Sequence, residues 1–66
     1  MPLITIELAS KSLDKNQKER LYKEMTDLMH DITGIRKEAF LIYLHENSTD
    51  NVGSGGIMLT EKLKNQ

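Results

Sequence analysis

Across residues 2–8, Ile4, Ile6 and Leu8 alternate with Leu3, Thr5 and Glu7. This period of two, rich in β-branched residues, predicts a strand with one buried face. A polar connection from Ala9 to Leu13 follows and ends at Asp14, with Gln17 three residues on. That spacing predicts a capping box, and Leu13 stands where a hydrophobic staple would. Beyond it, Leu21, Met25, Leu28, Met29 and Ile32 fall at offsets of 0, 4, 7, 8 and 11, one stripe of a helix with Lys18, Glu19, Lys23, Glu24 and Asp27 largely on the polar side. Gly34 is the natural terminator, so the helix should run from about 15 to 32. Glu38 to His45 is apolar on both alternating sets, as in a strand buried on two faces. Two strands joined by a helix should be parallel, with a right-handed crossover. The polar, glycine-rich stretch 46–56 then leads to Ile57-Met58-Leu59, a short strand or hairpin that completes a sheet in this chain or in another subunit, and a charged tail from Thr60 to Gln66. The expected class is α+β, a single β-α-β unit over residues 1–66.

Length sharpens this picture. At 66 residues the chain holds one small domain, and domains of this size usually need a staple. Cysteine is absent, which removes disulfides and thiolate metal sites, and His30 and His45 are too few and too separated for a structural zinc site. Oligomerisation is the staple left. One helix can cover only one face of a two-stranded sheet, so the other face predicts a partner surface.

Charge excludes further classes. Nine basic residues against ten acidic ones argue against a nucleic-acid binder that holds phosphate by bulk electrostatics. The run Lys15 to Arg20 is interleaved in sign and reads as a solvated helix face. No apolar run approaches the ~20 residues of a membrane span, and the start lacks signal-peptide features. A cytoplasmic protein with a small-molecule partner, and neither nucleic acid nor membrane, is the expectation.

The only proline, Pro2, lies directly before the first strand. A strand can begin with proline because its first amide is not needed in the ladder. The alternative is chemical. Removal of Met1 leaves a secondary amine at the mouth of a strand, and burial favours its neutral form, a general base. Such an amine can move a proton between carbon and oxygen, attack a carbonyl or add to an activated alkene.

Pro2 after Met1, the Ile-rich strand, Gln17-Lys18-Glu19 on a capped helix, an apolar strand ending His45-Glu46 and the Val52-Gly53-Ser54-Gly55-Gly56 loop together resemble the 4-oxalocrotonate tautomerase family. The likeness is greatest to its small phenol-degradation-homologue branch and runs over essentially the whole chain. It implies βαβ subunits paired into dimers with a four-stranded sheet, three dimers forming a homohexamer, and a C-terminal segment that reaches a neighbour. It also implies an isomerase of the 2-hydroxymuconate tautomerase type. The Pro2 amine would carry the proton of a 1,3-keto-enol shift on a small enol or unsaturated 2-oxo acid, with no cofactor and no metal.

The family's pattern also has two substrate-binding arginines and a loop aromatic. The position of the first falls near Lys11, which attracts a carboxylate but cannot grip it bidentately. The second falls on Leu41 or an immediate neighbour, and the aromatic on Val52. These departures put a dicarboxylate substrate in question. Arg36, a few residues before the second strand, reaches a neighbouring site or is simply solvated. His45 either donates to substrate or hydrogen-bonds a loop, and Tyr22 and Tyr43 read as packing or interface residues. Met25, Met29 and Met58 read as core or subunit contacts. The glycines of 53–56 follow a strand without opening a helix or carrying a Lys-Ser/Thr pair, so they suit a hairpin better than a phosphate cradle. An alternative to the enzyme is a non-catalytic oligomerisation module that keeps the fold.

Overall fold

A computed structural model of the chain describes residues 1–9 and 12–64. Strand β1 (Leu3–Ala9) leads to helix α1 (Lys15–Thr33), strand β2 (Leu41–Asn47), a hairpin of β3 (Gly53–Ser54) and β4 (Ile57–Met58), and a short helix α2 (Leu59–Lys64). The β-α-β unit with parallel strands and a C-terminal hairpin is therefore as expected.

The start of α1 follows from two side chains. Asp14 accepts from the Gln17 amide at 2.8 Å, and the Gln17 side chain accepts in return from the Asp14 amide at 3.0 Å. Both satisfy donors that the helix itself leaves free. At the other end Gly34 adopts φ 74°, a left-handed conformation that costs glycine least, and its amide closes on the His30 carbonyl at 2.8 Å. Asp14→Ala should lower stability by about 1 kcal/mol in chemical denaturation, with unchanged spectra at low denaturant.

Parallel pairing runs in register from Leu3 opposite Leu41 to Ala9 opposite Asn47. Ile4, Ile6, Leu8, Ile42, Leu44 and Glu46 share the half-buried face, while Leu3, Thr5, Glu7, Leu41, Tyr43 and His45 share the exposed one. Lys18 of α1 reaches Glu46 on the half-buried face, so this is the side the helix covers. On the opposite face Leu3 is 58%, Leu41 41% and Tyr43 52% exposed. Expected to be buried on both faces, β2 is shielded on one in the single chain.

The second strand also begins later than its pattern suggests. Lys37–Ala39 form a 3-10 turn, and the strand starts at Leu41 because the amides of Ala39 and Phe40 close back on Arg36 and Lys37 rather than joining a ladder. Phe40, 8% exposed, is the buried hydrophobic residue among those described and directly precedes the strand.

The hairpin turns through Gly55 and Gly56 at φ 62° and 83°. Two consecutive left-handed residues suit a two-residue hairpin and favour glycine at both. The unexpected α2 then seats on the 3-10 turn Thr49–Asn51, where Thr60 bonds Thr49 at 2.6 Å and also donates to Asp50.

The Cα radius of gyration is 15.4 Å over extents of 44 × 24 × 17 Å, whereas a compact chain of this length would have about 11 Å. Ile32 and Ile57 are also 71% and 50% exposed, so apolar surface is left open on the single chain.

Candidate functional site

The candidate residues separate to opposite ends of the sheet. At the N-terminal end the Leu41 amide donates to the Pro2 carbonyl at 3.0 Å, which extends the parallel ladder one residue beyond β1. Pro2 is half-buried, whereas Met1 before it is 85% exposed. The backbone of Leu41 therefore fixes Pro2 at the strand mouth and leaves Met1 projecting. The side chain of Leu41 lies beside Leu3 on the open face, where it offers apolar surface and no charge.

Val52 belongs to the other end. It is half-buried at the base of the hairpin, its carbonyl accepting from the Leu59 amide at 2.7 Å. Seven residues of β1 separate the two ends, about 23 Å at ~3.3 Å per residue. A single chain thus joins Pro2 with Leu41 and leaves Val52 remote. Lys11 lies outside the described residues. Arg36 is exposed and makes no salt bridge among the described residues.

A cleft at the far end is lined by Ala9, Ser12, Glu46, Ser48, Thr49, Asn51 and Leu63. Its organising residue is Glu46. One carboxylate oxygen accepts from the Leu13 amide, and the other lies 3.1 Å from Lys18 Nζ. The next residue, Asn47, donates to the Leu8 carbonyl and to Glu7, each at 3.2 Å. Adjacent residues of β2 thus hold the last residues of β1 and the segment leading into α1. Sequence reasoning missed this clamp, because Leu13 and Glu46 are 33 residues apart and no local spacing announces the pair.

The Leu13 amide, and then Lys18, hold the Glu46 carboxyl below the ordinary carboxylate range. Asp27, between Lys23 at 2.8 Å and Lys37 at 2.9 Å, is lowered to about 2 by hydrogen bonds to both lysines. Groups depressed in the folded state bind fewer protons there than in the unfolded chain. Their stabilisation is therefore present above the unfolded carboxylate value of about 4 and is lost as pH falls through the folded one. Stability measured by circular dichroism should fall from about pH 5 toward pH 2. In Glu46→Gln, which keeps an acceptor for Leu13, that fall should be shallower.

The remaining candidates have structural partners. His45 Nδ1 lies 3.4 Å from Glu7 on the neighbouring strand, a cross-strand pair in place of the loop bond expected. Met25 and Met29 are half-buried on α1, while Met58 is 46% exposed. Among the described residues no cluster of three or more His, Cys, Asp or Glu side chains could hold a metal ion. Nor is any described helix long and apolar enough to cross a membrane.

A half-buried proline laid into a parallel β-α-β ladder, with a glycine hairpin at the far end of the sheet, is the arrangement of a tautomerase-type chain. The chain belongs to the tautomerase family, whose sequence model, described as "Tautomerase enzyme", matches residues 2–62. It is 36% identical over 56 residues to a Campylobacter jejuni protein named "Probable tautomerase Cj0270", covering 85% of this chain and 82% of that one. The crystal structure of DmpI from Helicobacter pylori superposes with a TM-score of 0.79 at 26% identity, over 91% of this chain and 98% of that one. A 4-oxalocrotonate tautomerase isozyme from Methylibium petroleiphilum superposes with a TM-score of 0.75 at 25% identity, over 89% and 94% of the two chains. The resemblance read from the sequence is borne out at the level of family and fold.

Proposed function

We propose that this chain is a keto-enol tautomerase in which the amine of Pro2, freed by removal of Met1, is the general base. The observation that carries this reading is the seating of Pro2. Its carbonyl is tied to the Leu41 amide at 3.0 Å, so the ring nitrogen sits on a rigid strand rather than a loose terminus, as positioned catalysis requires. The neutral amine takes the hydroxyl proton of an enol acid. The O–H electron pair becomes the carbonyl π bond, the enol π electrons shift to carbon, and the protonated amine returns its proton there. Atoms and charge balance without a cofactor.

The working form in this reading is a homo-oligomer in the cytoplasm, with a trimer of dimers as the assembly that the family resemblance implies. Self-association is supported by the extended shape, the open face bearing Leu3, Leu41 and Tyr43, and a site whose parts lie at opposite ends of one chain. A neighbour can bring the two ends together.

A second reading, a non-catalytic oligomerisation module, draws on one observation. Leu41, at or next to the position where the resemblance would put an arginine, is apolar beside Pro2. Ketonisation of 2-hydroxymuconate and of phenylenolpyruvate by wild type and Pro2→Ala separates the readings. A Pro2-dependent rate supports the enzyme, and equal rates for the two proteins remove Pro2 from the mechanism.

A further inference from the structure

If the site takes a carboxylate, some cation must meet it, and most cations of this chain are occupied. Lys15, Lys18, Arg20, Lys23, Lys37 and Lys64 each lie within salt-bridge distance of a carboxylate. Arg36, before β2, and Lys62, on α2, make no such pair among the described residues, and Lys62 is the one beside the hairpin. Its Nζ instead donates to Ser54 Oγ at 3.1 Å, which holds the ammonium over the β3–β4 turn. A Cβ placed on Gly55 would lie 3.8 Å from that nitrogen. The turn is built of glycine, so no side chain covers the ammonium from below.

We infer that Lys62 and Ser54 form a carboxylate-binding corner, which the hairpin of one subunit contributes to the Pro2 of a second copy of this chain. The chemistry suits a carboxylate. An ammonium has three donors, of which Ser54 takes one. The serine hydroxyl accepts from lysine and keeps its own proton to donate. A lysine N–H and the serine O–H together offer two donors to the two oxygens of one carboxylate, a fork that lysine alone lacks. The exposed Ile57 and Met58, 50% and 46% accessible, supply apolar surface beside it for the rest of an unsaturated acid and for the neighbouring chain. Because the hairpin follows the C-terminal end of β2 while Pro2 precedes β1, a corner on the hairpin serves another copy's proline.

This inference rests on the tautomerase reading only in assigning the corner to Pro2; carboxylate binding by Lys62 stands apart from it. The test is titration of the wild-type oligomer with cis,cis-muconate, an unreactive dicarboxylate, followed by NMR chemical shifts. Lys62→Gln should bind about fivefold to tenfold more weakly. Lys62→Arg should retain most affinity, and Ser54→Ala should fall between. Lys64→Gln, two residues on, controls for general charge and should bind as wild type. Equal affinity in Lys62→Gln and wild type, or equal losses in Lys62→Gln and Lys64→Gln, overturns the corner.

Mixing tests the second copy. Pro2→Ala and Lys62→Gln chains refolded together should recover activity, since random assembly restores about one quarter of the sites. No recovery above the separate proteins overturns the shared site. Failure of the proline reading has a different signature, a Pro2→Ala rate equal to wild type while muconate binding still depends on Lys62.

Discussion

Pro2→Ala should lower kcat/KM for ketonisation of an enol acid by about a hundredfold or more, with little change in the circular dichroism spectrum. Alanine at position two also permits removal of Met1, so the variant keeps an amine. What it loses is the ring. A primary amine on an unconstrained residue differs in basicity and points in many directions, whereas the pyrrolidine nitrogen is fixed by the ring and by the Leu41 amide that holds the Pro2 carbonyl. General-base catalysis contributes about 10²–10⁴-fold when the base is placed well. The backbone bond itself survives the substitution, because it uses the carbonyl of residue 2, so a loss of rate cannot be put down to a broken strand. Blocking removal of Met1 should remove activity in another way, by converting the amine into an amide without a basic lone pair.

Tyr43→Asp should disrupt assembly and stability together. In the isolated chain Tyr43 is 52% exposed, and surface substitutions at such positions usually change stability by less than about 0.5 kcal/mol. In the proposed oligomer the open face on which it lies, with Leu3 and Leu41, is covered by other copies. An aspartate introduced there would be buried without a partner, at a cost of several kcal/mol per affected interface. Sedimentation velocity should show smaller species than wild type, and the melting temperature should fall and become dependent on concentration. If Tyr43→Asp matches wild type in both, the face is free in solution.

Much of the fold was legible because its signals are local. Asp14 with Gln17, Gly34, the alternation of β1 and the stripe from Leu21 to Ile32 each state their element within a few residues, and α1 ends one residue from its expected position. What failed locally did so for physical reasons. Glu38 and Ala39 belong to a strand by pattern, yet backbone bonds to Arg36 and Lys37 close that stretch into a turn. Helix α2 spans six residues, too short for a periodic stripe to register, and is held by Thr60 against Asp50 and Thr49.

The candidate site was legible only in part. Pro2 declares itself by position, and Leu41 comes beside it as the register requires. The Glu46 clamp and the Lys62–Ser54 pair join residues from different elements, which spacing along the chain does not bring together. Val52 belongs to the candidate site only through resemblance, and in one chain it stands at the far end of the sheet.

The central claim is that a neutral Pro2 amine takes the proton. Because the chain contains a single proline, ¹⁵N-proline labelling gives one signal, and its titration by NMR reads that nitrogen alone. The expected result is a titrating secondary amine whose pKa coincides with the acidic limb of the kcat/KM profile. A signal that titrates well away from that limb, or an amide that does not titrate in a protein that is nevertheless active, would contradict it.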